Sequence, residues 1–263
     1  MSLAMSEALL QARNICVHYG QTRALDQVSL EIAAGETLAL VGPSGSGKST
    51  LARALLRLQP LRSGTITFDG MDWLALKGAA LRRERAKMQM VFQDPLSAFN
   101  PRSHVRDLLE APLRIHRRKQ DIGALLQEVG LDPALASRRV FEISGGQRQR
   151  VAIARALATQ PSLIVLDEAV SSLDVTVRAR ILDLLRDLQR RNNTAYLFIT
   201  HDLAVASQLA GRIAVMEGGR IVECQTAAAL IASPQAAITK ALIAAIPNPA
   251  SFPRQDMSRL RTP

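Results

Sequence analysis

Only two cysteines, Cys16 and Cys224, occur in 263 residues, and their spacing matches no metal-ligand pattern. A chain of this length can bury a core without disulfide staples, so reduced thiols in a cytosolic setting are expected. No run approaches the roughly 18 uninterrupted apolar residues of a membrane span. The first stretch, "MSLAMSEALLQARN", has no basic region leading into an apolar core and is not expected to act as a secretion signal. No internal repeat or low-complexity tract interrupts the chain, and nothing argues for disorder. What remains is a soluble protein, or one held at a membrane through a partner.

What is present is a 48% hydrophobic composition, enough for one large α/β domain or two smaller ones, and a marked basic excess. Lys and Arg total 33 against 23 Asp and Glu, a net charge of +10 that favours nucleotides, nucleic acid or an acidic membrane surface without choosing among them.

The first ninety residues are rich in short strand patterns, "NICVHY", "VSLEI", "ETLALVG" and "TITFDG". A helix is expected to begin at Leu51 after "GKST". Residues 105–160 turn helical, in "VRDLLEAPLRIH", "DIGALLQEVG" and "QRQRVAIARALATQ". Strands then alternate with helices: "SLIVLDE", "VTVRARILDLLRDLQRR", "TAYLFITHD", "LAVASQLAG" and "RIAVMEGG". Alternation of this kind implies right-handed βαβ units and a mainly parallel, buried sheet. After them one short helix and a Pro- and Arg-containing tail, expected to fray, complete the chain.

Gly42, Gly45, Gly47, Lys48 and Ser49 fit G-x-x-x-x-G-K-[ST], with an apolar strand before and a helix after. Glycines let backbone N–H groups turn onto phosphate oxygens, Lys48 neutralises β/γ-phosphates, and the Ser49 hydroxyl suits Mg²⁺. In "LIVLDEAV" the apolar run ends in Asp167 and Glu168, at the strand edge where open α/β sheets bind ligands. Asp167 could hold Mg²⁺ or its waters, and Glu168 could take a proton from water. Acidic residues also simply end strands. In "ISGGQRQR", Ser144 can cap a helix whose first N–H groups are left open by Gly145 and Gly146, beside the Gln147 amide. That is an anion site without a lysine, or an ordinary cap.

Taken together these motifs resemble those of ATP-binding-cassette (ABC) ATPases, over nearly the whole chain. "GPSGSGKST" is similar to the family's Walker A, "LIVLDE" to its Walker B and "ISGGQRQR" to its signature. His201 in "FITHD" resembles the switch histidine, Gln93 in "VFQDP" the Q-loop residue, Asp174 in "SSLD" the D-loop residue and Tyr19 the aromatic that stacks on adenine. Two departures are Ile143 where the signature usually has Leu, and Ala169 where Pro usually follows the catalytic Glu. Neither removes a group that does chemistry.

The resemblance implies a P-loop NTPase core with a mainly parallel sheet, an N-terminal antiparallel β portion and an inserted helical subdomain. On this reading residues 1–235 form the ATPase domain, with the helical insertion at roughly 95–160, and 236–263 form a C-terminal extension and tail. It assigns ATP to Tyr19, to Gly42, Pro43, Ser44, Gly45, Ser46, Gly47, Lys48, Ser49 and Thr50, and to Ser144, Gly145, Gly146, Gln147 and Asp174. It assigns Mg²⁺ to Ser49, Gln93 and Asp167, and catalysis to Glu168, His201 and Gln93. Two cassettes would pair head to tail, so the signature of one closes over the nucleotide of the other.

"VFQDPLSAFNPR", "DEAVSSLDV", "YLFITHDL" and "GRIVECQT" look closest to the second ATPase of nickel importers, with the dipeptide importer's second ATPase as near neighbour. The C-terminal extension resembles theirs too, although Ala236, Ala237 and Ile238 replace the usual His-Pro-Tyr. The implied partners are a paralogous ATPase (or a second copy), two transmembrane permease subunits and, indirectly, an extracytoplasmic solute-binding protein, with the chain peripheral on the cytoplasmic face of the inner membrane. A soluble ABC ATPase working on DNA is the rival class; the coiled coils or zinc modules of such proteins are missing between P-loop and signature, and no nucleic acid is expected.

Overall fold

The computed structural model describes residues 8–95, 99–100 and 102–246; the Pro- and Arg-containing tail and part of "VFQDPLSAFNPR" lie outside them. Two sheets organise the fold. β1 (Ala8–Tyr19), β2 (Thr22–Ala33), β4 (Ser63–Phe68) and β5 (Met71–Asp72) form an antiparallel sheet in the order β2-β1-β4-β5. β3 (Thr37–Val41), β6 (Met88–Val91), β7 (Leu163–Asp167), β8 (Ala195–Thr200), β9 (Arg212–Glu217) and β10 (Arg220–Thr226) form the second, ordered β10-β9-β3-β8-β7-β6. Its strands run parallel except β10, which is antiparallel to β9.

The inner parallel strands β3, β7, β8 and β9 are buried on both faces, as their apolar runs require. Successive residues point to opposite sides and sort cleanly between two cores. Leu38, Leu40, Leu197, Ile199 and Met216 face the antiparallel sheet and α1 (Lys48–Leu55). Ala39, Val41, Tyr196, Phe198 and Val215 face α5 (Gly145–Leu157), α6 (Val175–Asn192) and α7 (Leu203–Leu209). α1 and α5 therefore pack on opposite faces of one sheet.

α3 (Val105–Ile115) and α4 (Ile122–Glu128) contribute Val105, Leu109 and Leu126 to the same apolar cluster as α5, and both lie against α5. The fold matches the α/β architecture expected from the sequence. One boundary is corrected: α1 begins at Lys48 rather than Leu51, because the N–H of Leu51 already bonds Gly47 O at 2.9 Å. The first turn carries Lys48, Ser49 and Thr50, which apolar periodicity cannot see. β5, β10, α2 (Gly78–Glu84) and α8 (Ala227–Ala232) were not anticipated; β10 is an edge strand in which only Glu223 is buried, so it lacks the apolar alternation that marks a strand.

The short C-terminal helix is present as α9 (Ala237–Ala244), and a single carboxylate fastens its start to β10. Glu223 accepts hydrogen bonds from Thr239 Oγ1 at 2.6 Å, from Ala236 N and Gln235 N at 2.9 Å and from Gln225 Nε2 at 2.8 Å. Burial works to raise its pKa, but the Thr239 hydroxyl, the two N–H groups and the amide outweigh burial and hold it below the usual carboxylate range. Glu223→Ala orphans the buried Thr239 hydroxyl, and a buried unpaired donor costs about 1–3 kcal/mol. The expected outcome is a lower melting temperature, with amide exchange increased first in α9. Unchanged protection of α9 would contradict the anchoring role.

Candidate functional site

The carboxyl ends of β3, β7 and β8 meet at one edge of the parallel sheet, the edge at which such sheets place ligands. Between β3 and α1 runs the loop from Gly42 to Gly47. A side chain at Gly42 would put its Cβ 2.1 Å from the carbonyl oxygen of Met216, so only glycine lets the loop pass β9. Ser46 O accepts from Gly219 N at 3.0 Å, which ties the loop to the β9–β10 turn. Pro43, Ser44 and Gly45 are exposed, while Ser49 and Thr50 are half-buried.

Lys48 is 5% exposed, and its ammonium curls back over the loop to Gly42 O at 2.9 Å, Pro43 O at 2.8 Å and Ser46 Oγ at 3.4 Å. Burial lowers its pKa, while the carboxylates of Glu168 and Asp167 favour the protonated form. The Ser49 hydroxyl donates to Asp167 Oδ1 at 3.0 Å and so joins α1 to the end of β7. Burial raises the Asp167 pKa, with the Ser49 hydrogen bond opposing that rise and the Glu168 charge adding to it. Two adjoining hard oxygen donors beside a phosphate loop are the chemistry that suits Mg²⁺.

Glu168 takes a left-handed backbone, φ 48°, an uncommon conformation for a residue with a side chain, and its N–H donates to Ile199 O at 3.0 Å. This hydrogen bond to β8 turns the chain at the strand end. Its Oε2 stands 3.6 Å from Nδ1 of His201, which follows β8 directly. The structure thus brings Lys48, Ser49, Asp167, Glu168 and His201 to one sheet edge. Tyr19, 45% exposed, ends β1 opposite Thr22 in a hairpin whose Ala24 carbonyl lies against Gly47.

Gln93 lies two residues past the end of β6. It is exposed in the loop after β6, the edge strand beside β7, and has no hydrogen-bond partner among the described residues.

The "SGGQ" residues open α5, which packs on the sheet face opposite α1. Ser144 Oγ accepts from Gln147 N at 3.2 Å and Gln147 Oε1 accepts from Ser144 N at 2.9 Å, a reciprocal cap. Gly146 lies tight against α6: a Cβ there would come 2.8 Å from Val177 Cγ1, whereas one at Gly145 would meet nothing within 4 Å. Asp174 caps α6 by accepting from Val177 N at 2.9 Å, so signature and D-loop segments share one patch of surface.

Arg178 and Asp202, which border this site, escaped the sequence reading. Nothing in "VTVRARIL" separates Arg178 from a solvated helix cation, because its partners are remote in sequence or are backbone carbonyls.

The ABC transporter family model matches residues 25–171. A probable peptide ABC transporter ATP-binding protein of Sinorhizobium fredii is 48% identical over 262 residues, covering 93% of this chain and 74% of that protein. A putative peptide import ATP-binding protein of Brucella ovis is 44% identical, over 96% of this chain and 83% of that one. The glutathione import ATP-binding protein GsiA of Pectobacterium atrosepticum is 43% identical over 93% of this chain, which spans only 42% of that protein. Among solved structures, a Clostridium perfringens cassette, part of an ABC transporter complex, superposes with a TM-score of 0.76 at 26% identity, over 86% of this chain and 91% of its own. A dimeric ATP-binding cassette in a post-hydrolysis state with ADP and Pi gives 0.74 at 29% identity, over 83% of this chain and 98% of its own. The chain belongs to the ABC transporter family, as one of its ATP-hydrolysing subunits.

Proposed function

We propose that this chain binds and hydrolyses ATP to drive import of peptides through a membrane permease. The observation that carries the ATPase chemistry is the Ser49–Asp167 hydrogen bond of 3.0 Å, set between the buried Lys48 and the Glu168–His201 pair. The peptide and glutathione import relatives support the cargo class, and they favour it over the nickel reading drawn from the sequence. The DNA reading has no support from them.

On this reading Lys48 neutralises the β- and γ-phosphates, with N–H groups of the Gly42–Thr50 run around them. Ser49 and Asp167 would hold Mg²⁺, assisted by Gln93, and the ion would supply charge neutralisation on the phosphates. Glu168 accepts a proton from the attacking water, and His201 fixes the orientation of Glu168 and of the γ-phosphate. Tyr19 stacks on adenine. Ser144, Gly145, Gly146, Gln147 and Asp174 act on the nucleotide held by a second cassette, a reading supported by the packing of α5 and α6 on the sheet face opposite α1. That second cassette is a paralogue or another copy of this chain.

Among the described residues no helix is long and apolar enough to cross a membrane. The proposed import role, supported by the import relatives, calls for two permease subunits, a solute-binding protein outside the membrane, and a peripheral seat on the cytoplasmic face of the inner membrane. A strain lacking the chain is expected to recover uptake of a labelled dipeptide with the wild-type chain and not with Lys48→Ala. Restored nickel uptake with unaltered peptide uptake would overturn the peptide assignment and leave the ATPase assignment standing.

A further inference from the structure

Arg178 occupies the first turn of α6, where its N–H bonds Asp174 O at 2.9 Å. Its side chain reaches in two directions. Nη2 donates to the carbonyl of Leu173 at 3.1 Å, and Nη1 stands 3.7 Å from Oδ2 of Asp202. Nε is buried without a partner among the described residues, and the side chain as a whole is 26% exposed. An unpaired buried N–H destabilises, so this placement is maintained by the two contacts at the far end of the guanidinium.

Both contacts lead to the proposed reaction centre. Leu173 ends the segment that leaves Glu168, a segment held by Ser171 N to Glu168 O at 3.1 Å and Leu173 N to Val170 O at 3.3 Å. Asp202 directly follows His201. Its N–H donates to Thr200 Oγ1 at 3.1 Å and its Oδ1 accepts from Val205 N at 3.1 Å, so Oδ2 is the oxygen left for Arg178. Glu168 and His201 then close the ring at 3.6 Å. One guanidinium spans the two chain segments whose tips carry the carboxylate and the imidazole.

We propose that Arg178 is a positioning residue for ATP hydrolysis, holding Asp202 so that His201 stays on Glu168 and tying that pair to the loop that carries Asp174. The inference rests on the ATPase reading. The fork of an arginine is needed because a lysine can answer the Asp202 carboxylate but cannot also hold the Leu173 carbonyl with fixed geometry. Since Arg178 bonds neither the Gly42–Gly47 loop nor Tyr19, its loss should misalign the reacting groups and leave ATP binding alone.

The test is steady-state ATP hydrolysis by the full chain with its partner cassette. Arg178→Ala is expected to lower kcat about ten- to a hundredfold, the scale of a small misplacement at a reacting centre. The KM for ATP should move less than about twofold, as expected when an interaction felt only in the transition state is removed. Arg178→Lys should recover part of kcat. Asp202→Asn should reproduce part of the loss, and the double variant should be less impaired than the product of the two single effects, since both act through one contact. Should Arg178→Ala fail to fold, the lysine and Asp202→Asn variants carry the test. Wild-type kcat in these variants, a loss confined to KM, or independent multiplication of the effects would overturn the proposal. Glu168→Gln in the same preparation tests the ATPase reading separately, so a failure of Arg178 alone leaves that reading intact.

Discussion

Glu168→Gln should bind ATP as the wild type does and hydrolyse it about 10²–10⁴-fold more slowly, the usual contribution of a positioned general base. The substitution keeps the shape of the side chain and removes its ability to accept a proton at neutral pH. It leaves the hydrogen bond from the residue 168 N–H to Ile199 O, and with it the turn at φ 48°, free to form as before. Lys48 and Ser49 are untouched, so the phosphate loop still engages nucleotide. Because binding persists while turnover stops, the variant should also accumulate as an ATP-dependent cassette dimer, or as a heterodimer with its paralogue. Phosphate release, equilibrium nucleotide binding and light scattering check the three parts. Turnover at the wild-type rate would remove Glu168 from the mechanism, and loss of ATP binding would make its role structural.

The legibility of this site in the sequence followed the reach of each interaction. The Gly42–Ser49 run is local, since strand, loop and helix follow one another in the chain, and the residue types state their chemistry directly. Asp167 and Glu168 were legible because "LIVL" marks a buried strand whose carboxyl end is a ligand edge. The pairing of Ser49 with Asp167 spans 118 residues and depends on strand order, which periodicity does not encode. The same limit hid the ring through Arg178 and Asp202. It also hid the Glu223 anchor, in which an acidic residue on an exposed edge strand is buried by a helix that follows it. The signature segment shows a different limit. The cap and the open glycines are legible in "ISGGQ", but the second cassette as its partner is implied by the family resemblance and not by these residues; the structure adds that α1 and α5 pack on opposite faces of the sheet. Cargo was the least legible feature, because none of the residues gathered at the ATP site bears on it.

The opposite-face arrangement makes a sharp prediction at Gly145. A Cβ added there meets nothing within 4 Å, and the position is the first of α5, so Gly145→Asp has room and places a negative charge at a helix N-terminus. Such a charge ordinarily stabilises a helix by about 0.3–1 kcal/mol. The chain should therefore fold at least as well as the wild type, and its own Lys48 loop should bind ATP unchanged. In an assembled pair the same carboxylate would confront the γ-phosphate held by the other cassette. Two like charges about 4 Å apart near a protein surface repel by roughly 4 kcal/mol, a factor of about a thousand. Hydrolysis should accordingly fall about a hundred- to a thousandfold at the composite site that residue 145 completes, while a fluorescent ATP analogue still binds the isolated chain with wild-type affinity. The contrast separates a site completed in trans from a helix cap with no further duty: a mere cap predicts wild-type hydrolysis, and a signature segment serving its own P-loop predicts weakened binding in the isolated chain. Assembling the variant with itself and then with the paralogue identifies the partner, since a pair of variant copies loses both composite sites and a pair with the paralogue loses the one whose P-loop faces residue 145.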